Sequence, residues 1–209
     1  MDLNELFKIQ AKLDERIEHE HGLEGQDLLY KKILALLTEL GELANEHRGF
    51  KFWSKDQEPR TETVCWNCEG TGGHMGYIEA PMIEYTLVAC WDCNGTGIYK
   101  KPLLEEFVDV IHFMLSIGND LGYQDIKIDS DYTEETADRT FIKVYSDIDS
   151  LLVDLGTDIF NKYAKESYEV LFNTFVGLGE IHLGFTWEQI EQAYMDKNKI
   201  NHERQEAGY

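Results

Sequence analysis

Apolar residues recur along this chain at helical spacing, in blocks separated by polar turns. Leu29, Ile33, Leu36, Leu37, Leu40, Leu43 and Ala44 fall three or four residues apart and form one stripe. They predict a helix over Leu28–His47. Leu6, Ile9, Leu13 and Ile17 predict another from Asn4 to Glu20, with Asp2 or Asn4 as its cap. Pro102 suits a first helical turn, and Leu103, Phe107, Val110, Ile111, Met114 and Ile117 mark the face that follows. Phe141 to Leu155, Ile159 to Leu183, and Trp187 to the end read as further amphipathic helices. The acidic stretch Gly122 to Asp138 reads as a solvated loop with at most a helical turn. The pattern predicts an all-α helical bundle around one core.

Ser54 to Lys101 breaks that periodicity. Cys65-Trp-Asn-Cys68-Glu-Gly-Thr-Gly72 is matched by Cys90-Trp-Asp-Cys93-Asn-Gly-Thr-Gly97. Each CxxC makes a tight knuckle that offers two thiolates to one metal, and the glycines let backbone N–H groups approach the sulfurs. Cys65, Cys68, Cys90 and Cys93 together predict a closed tetrahedral site for structural Zn²⁺. Ile78 to Val88 reads as a β-hairpin between the knuckles, and His74 as a solvated residue rather than a ligand. The knuckles resemble the cysteine-rich repeats of DnaJ-type chaperones, a local likeness only. The organisation expected is a helical catalytic domain over 1–53 and 102–209 and a zinc-knuckle insertion over 54–101.

The formal net charge is −21, with 19 Lys and Arg against 40 Asp and Glu. Such a chain is a poor partner for a nucleic-acid backbone, which needs clustered cations. An acidic site can still hold a phosphorylated small molecule when divalent metals bridge the two sets of anions. No apolar run approaches a membrane span, and Met1-Asp-Leu-Asn-Glu lacks the features of a signal peptide. A cytoplasmic protein is expected.

The polar positions beside the stripes carry the candidate chemistry. Glu39 and Glu42 lie three apart, one above the other at the edge of the Leu28–His47 stripe, and Glu46 continues the acidic row. Glu106 and Asp109 repeat the arrangement on the Pro102 helix, where Glu105 lies furthest out and reads as solvated. An isolated ExxE is usually surface. Two such pairs flanking buried faces would instead form a cage for Mg²⁺, because a nearby cation keeps adjacent carboxylates ionised. His112 reads as a hydrogen-bonded core histidine or a substrate contact. Gln10 and Asp14 share a face of the first helix, and by spacing alone they are ordinary surface. Phe52 and Trp53 either pack back on the core or offer a base something to stack on. Lys197, Asn201 and Arg204 form a cationic row at i, i+4, i+7 that suits an oligophosphate or, more blandly, a solvated helix.

Taken in order, ExxE, then Glu106-Phe-Val-Asp109, then Tyr194-xx-Lys-Asn-xx-Asn-xx-Arg-Gln-xx-Gly-Tyr209 resembles the dimeric dUTPases of the all-α NTP pyrophosphatase superfamily. The resemblance implies hydrolysis of dUTP or dUDP to dUMP by a homodimer. It implies two or three Mg²⁺ held by Glu39, Glu42, Glu106 and Asp109, with Glu39 or Glu42 orienting or deprotonating the attacking water. Lys197, Asn198, Asn201 and Arg204 would contact phosphates and sugar, Phe52 and Trp53 would lie near the nucleotide, and Gln10 would read uracil. Asp14 stands where an Asn is expected, and Ala11 at a position that is Gln in relatives. A pyrophosphohydrolase for another nucleotide, such as dCTP or a damaged base, is the alternative within the same chemistry. A helical scaffold that binds a partner protein through its zinc knuckles is the non-enzymatic alternative.

Overall fold

A helix that is apolar around most of its circumference must sit at the centre of a bundle. The computed structural model describes residues 3–79, 83–129, 131–156 and 161–208. At its centre is the helix Pro102–Leu121, whose Leu103, Phe107, Val110, Ile111, Met114, Leu115 and Ile117 are all buried. In chain order the helices are α1 (Leu3–Glu20), α2 (Leu29–His47), α3 (Pro102–Leu121), α4 (Ala137–Leu155), α5 (Ala164–Gly177) and α6 (Trp187–Glu206). The helices α1, α2 and α6 pack on α3, while α4 and α5 pack on each other. From α5, Tyr168 donates its hydroxyl to the Met114 carbonyl of α3 at 2.8 Å, and Phe175 stacks on Phe107 with centroids 4.4 Å apart. The fold is all-α with a small β module.

Helix ends follow local chemistry. α1 begins at Leu3, so Asn4 is in its first turn and is not the cap; Asp2 lies outside the described residues. α4 starts four residues before the expected Phe141, because the Thr136 side chain accepts from the Arg139 N–H and caps it. The expected helix from Ile159 to Leu183 is not continuous. Residues 159 and 160 lie outside the described residues, Asn161–Tyr163 is a 3₁₀ turn, and after α5 the chain widens into a π-helical turn over Leu178–His182. The widening lies where the Phe107 ring packs against Gly179. A Cβ on Gly179 would come within 2.4 Å of that ring. The capping box of Thr186 and Gln189 starts α6.

The strands are β1 (Thr63–Val64), β2 (Gly73–Glu79), β3 (Ile83–Ala89) and β4 (Ile98–Lys100). β2 and β3 pair antiparallel from Gly73↔Ala89 to Glu79↔Ile83, so the ribbon starts five residues earlier than the Ile78 expected. β1 pairs with β4. The module is stitched to the bundle through Arg60: its N–H donates to the Glu46 carbonyl at 2.9 Å, and its carbonyl accepts from the Leu103 N–H at 3.1 Å. Among the described residues, no helix is long and apolar enough to cross a membrane.

The tightest contact in the core is at Gly118 of α3, where a Cβ would lie 2.2 Å from the Tyr168 hydroxyl and 2.8 Å from the Phe7 ring. Gly118→Ala should cost about 1–3 kcal/mol by overpacking, and Tyr168→Phe about 1 kcal/mol through its lost hydrogen bond. In the double variant the closest of these contacts, to the hydroxyl, is gone, so urea unfolding should give a cost smaller than the sum of the two. Strict additivity would show that the hydroxyl is not what excludes a side chain at position 118.

Candidate active site

The α2–α3 seam is closed by apolar side chains, which leaves the polar positions at its edge facing one another. Glu39 and Glu42 from α2 and Glu106 from α3 each bring a carboxylate oxygen within 4.8 Å of the others. Burial, then the negative charges of Asp109, Glu42 and Glu39, push the Glu106 carboxyl up to about 7. Burial and the charges of Asp109 and Glu42 also raise Glu39. Asp109 stands outside that triangle, ion-paired with the Lys197 ammonium of α6. Its proton affinity is raised by burial and held back by Lys197 and Arg204. Glu46 does not continue the acidic row into the cage. It pairs with Arg60 at 3.3 Å, where the chain leaves the bundle for the module.

Beside this cluster lies a cavity of about 400 Å³ between α1, α2, α3 and α6. It is lined by Gln10, Asp14, Glu39, Asp109, His112, Lys197, Asn201 and Arg204, brought together from four helices. Gln10 is only 3% exposed. Its carbonyl oxygen accepts from the Tyr194 hydroxyl at 2.9 Å and lies 2.7 Å from His112 Nδ1. An amide oxygen only accepts, so the His112 proton sits on Nδ1. His112 is neutral: burial, then Lys197, pull its pKa down to about 3, and its ring stacks on Tyr194 at 4.2 Å. The Gln10 amide nitrogen donates to Asp14 Oδ1 at 2.8 Å. Burial pushes the Asp14 carboxyl up to about 6, against the pull of that amide. The cavity therefore has an amide of fixed orientation at one end and a carboxylate–cation cluster at the other.

Three expected contacts lie elsewhere. Phe52 and Trp53 do not line the cavity; they are 84% and 67% exposed and pack edge to face on each other at 5.0 Å. α2 ends in a left-handed residue, Arg48, whose guanidinium binds the Asp56 carbonyl at 2.8 and 3.1 Å and draws the chain away from the bundle. Asn198 is buried beside the Tyr194 hydroxyl and does not line the cavity. Residues that spacing did not single out also serve the site, one from behind the cavity wall and one in it. Tyr194 orients Gln10, and Lys32 reaches the cavity while paired with Asp120 at 2.7 Å. Tyr194 had a signal, as the first residue of the C-terminal motif; Lys32 had none.

The four cysteines converge between the β1–β4 pair and the β2–β3 ribbon. Cys65 and Cys90 sulfurs lie 3.8 Å apart and those of Cys68 and Cys93 3.7 Å apart. Gly72 and Gly97 N–H groups donate to Cys68 and Cys93 at 3.3 and 3.2 Å. The two knuckles are related pairwise: Cys65 N–H donates to the Gly97 carbonyl and Cys90 N–H to the Gly72 carbonyl, both at 2.8 Å. Gly72 and Gly97 have φ of +76° and +77°, and a Cβ on either would lie 2.3 Å from a carbonyl oxygen of the other knuckle. No thiol is oxidised to a disulfide.

A direct comparison with curated proteins returns no match. The sequence profile of a family described as dUTPase matches residues 2–67 and 89–209, passing over only the centre of the cysteine module. With nearly its whole length matched, the chain belongs to the dimeric dUTPase family, a group of nucleoside triphosphate pyrophosphohydrolases.

Proposed function

We propose that this protein is a Mg²⁺-dependent dUTP diphosphatase that releases pyrophosphate and dUMP. The observation that carries the reading is the single cavity lined by Gln10, by Glu39 and Asp109, and by Lys197, Asn201 and Arg204. An amide that can read a base edge, carboxylates, and cations for phosphates lie in one concave site. In this reading Gln10 recognises uracil, its amide held by Tyr194, His112 and Asp14. Lys197 and Arg204 bind the phosphates and stabilise the charge that develops as the bond breaks. Asn201 contacts the sugar–phosphate. Glu39 lines the cavity and has raised proton affinity, so it is the better base for the attacking water, with Glu42 behind it.

The clustered oxygens of Glu39, Glu42 and Glu106 suit a hard divalent cation, and their mutual repulsion is the cost that such a cation removes. These three would hold Mg²⁺, with Asp109 joining when Lys197 turns to phosphate; bound Mg²⁺ would polarise phosphate oxygens and acidify a water. The cysteines suit zinc. Four thiolates about 2.3 Å from a tetrahedral ion stand about 3.8 Å apart, which is the sulfur spacing observed. Residues 54–101 are read as a zinc-stapled insertion in a helical domain made of 1–53 and 102–209. In this reading the protein is a homodimer, as its family suggests, and exposed Tyr30, Leu34 and Ile142 supply apolar surface for it. A second substrate has one specific support: the Asp14 carboxyl beside Gln10 can accept the amino group of cytosine, which puts dCTP next after dUTP.

The deciding assay is pyrophosphate release with Mg²⁺ from dUTP, dCTP, dTTP, dATP, dGTP and UTP. dUTP should be preferred, and Asp109→Ala should fold yet lose at least about a hundredfold in kcat. Preference for a different nucleotide would reassign the base pocket, and near-wild-type turnover by Asp109→Ala would remove Asp109 from the site.

Because Glu106 has raised proton affinity in the fold, its charge costs the metal-free protein stability above about pH 7, a cost that fades as the pH falls toward the ordinary carboxylate range. Mg²⁺ competes with that proton. The rise in Tm on adding Mg²⁺ should therefore be larger at about pH 8 than at about pH 6, and Glu106→Gln should flatten the difference. Equal shifts at both pH values in the wild type would contradict the assignment.

Purified protein should carry one zinc per chain, and Cys90→Ser should bring zinc to near zero with the helical circular dichroism retained, since the helical core contains no residue of the module. Full zinc content in that variant would show that the ion sits elsewhere.

A further inference from the structure

A second cavity, of about 550 Å³, adjoins the first. Its walls come from the end of the cysteine module, from the start of α3 and from α6. Lys197 and Arg204 line both cavities, so the two share a cationic wall. On the other side stand Lys100 of β4 and Lys101, which follows it. Four cations and two acids, Glu105 and Asp196, thus face one space in a chain that has 40 acidic residues and only 19 Lys and Arg. The two acids are engaged with neutral donors: Glu105 accepts from the Lys101 backbone N–H at 3.3 Å, and Asp196 from the Gln192 amide at 3.0 Å. Lys100 and Lys101 are in no ion pair among the described residues, and the Lys100 ammonium stands 5.8 Å from the Tyr99 ring centroid.

A concave site with several convergent cations recognises a compact polyanion rich in oxygen acceptors, with lysines as point charges and arginine as a fork. A long polyanion is repelled by the −21 charge of the whole chain, whereas a small one inside the cavity meets the cations first. We propose that this second cavity is an oligophosphate site and that Lys100 and Lys101 are the cysteine module's contribution to it. It takes the outer phosphates of the bound nucleotide, or the pyrophosphate cut from it. This rests on the pyrophosphohydrolase reading and gives the module a part in that reaction: the four-cysteine staple holds the β4 edge at the mouth of the site. The family profile passes over residues 68–88 but matches Lys100 and Lys101. The lysines at the seam are therefore placed by the family framework and the module together.

The test is the double variant Lys100→Ala/Lys101→Ala, with Lys100→Arg/Lys101→Arg to keep the charge and Lys55→Ala as an exposed control on the same excursion of the chain. All three side chains altered are at the surface, and equal Tm values will show that the fold is kept. The inhibition constant of inorganic pyrophosphate should rise roughly tenfold in the alanine variant, and the arginine variant should restore it. A parallel rise in KM for dUTP assigns the site to the outer phosphates of the substrate; a rise in the inhibition constant alone assigns it to released pyrophosphate. An alanine variant with wild-type values of both overturns the proposal. If the wild-type protein releases pyrophosphate from no nucleotide, it is the pyrophosphohydrolase reading that fails. Calorimetric titration of inorganic pyrophosphate then still decides the site, binding lost in the alanine variant supporting it and equal binding overturning it.

Discussion

Burying α3 is the constraint on which the rest of the structure depends. Its apolar side chains point in nearly every direction, so α1, α2 and α6 must pack around it, with Tyr168, Phe172 and Phe175 of α5 completing the core. The tolerance for extra volume is small, as the contacts at Gly118 and Gly179 show. Once α3 is enclosed, few of its positions remain for polar groups. Glu106, Asp109 and His112 occupy the narrow strip where the surrounding helices do not quite meet. The candidate-site cavity opens along that strip, with Asp109 and His112 in its wall.

Partial burial is also what gives these groups their chemistry. On an open surface, three or four carboxylates would be screened and would titrate separately. At the α2–α3 edge, desolvation and mutual repulsion act on the same side chains, raising Glu39, Glu106 and Asp109 together. The Lys197 ammonium relieves Asp109 in the protein alone. At the other end of the cavity the logic is reversed. Gln10, His112 and Tyr194 are fully buried, and each hydrogen bond restricts the next, so the amide is held with its nitrogen toward Asp14. Such a network is rigid because breaking one bond strands a buried polar atom.

The cysteine module obeys different physics. Its apolar side chains Trp66, Met75, Leu87 and Trp91 are exposed and build no core, and among its described residues the buried cluster is the four cysteines. The paired knuckles hold each other through the Gly72 and Gly97 carbonyls, and the antiparallel ribbon projects from them. Arg60 joins this unit to α2 and α3, and β4 runs straight into α3. The order of the module is thereby transmitted to the first turn of the helix that bears Glu106 and Asp109.

Periodicity was sufficient to locate α1, α2, α3 and α6, and hence the all-α fold. The duplicated CxxCxGTG was sufficient for the four-cysteine cluster. These are local properties: a helical stripe or a knuckle is encoded within a dozen residues, and burial of its apolar side is obligatory. The ExxE and Glu106-Phe-Val-Asp109 pairs were legible for the same reason, as polar positions at the edges of buried stripes. Which of them meet was decided only by tertiary packing. Glu39, Glu42 and Glu106 converge, Asp109 turns to Lys197, and Glu46 is taken by Arg60. Spacing likewise left Gln10 as ordinary surface, and it is buried because α3 and α6 supply His112 and Tyr194 from distant parts of the chain. Asn198 turned inward, since a helix can present the same residue to a ligand or to a neighbour depending on what packs beside it, and Phe52 and Trp53, in the turn after α2, lie outward. The sequence by itself determined the elements and the candidate chemistry. The tertiary structure chose the partners, because pairing across sequence-distant helices depends on how the core closes, and no local pattern records that.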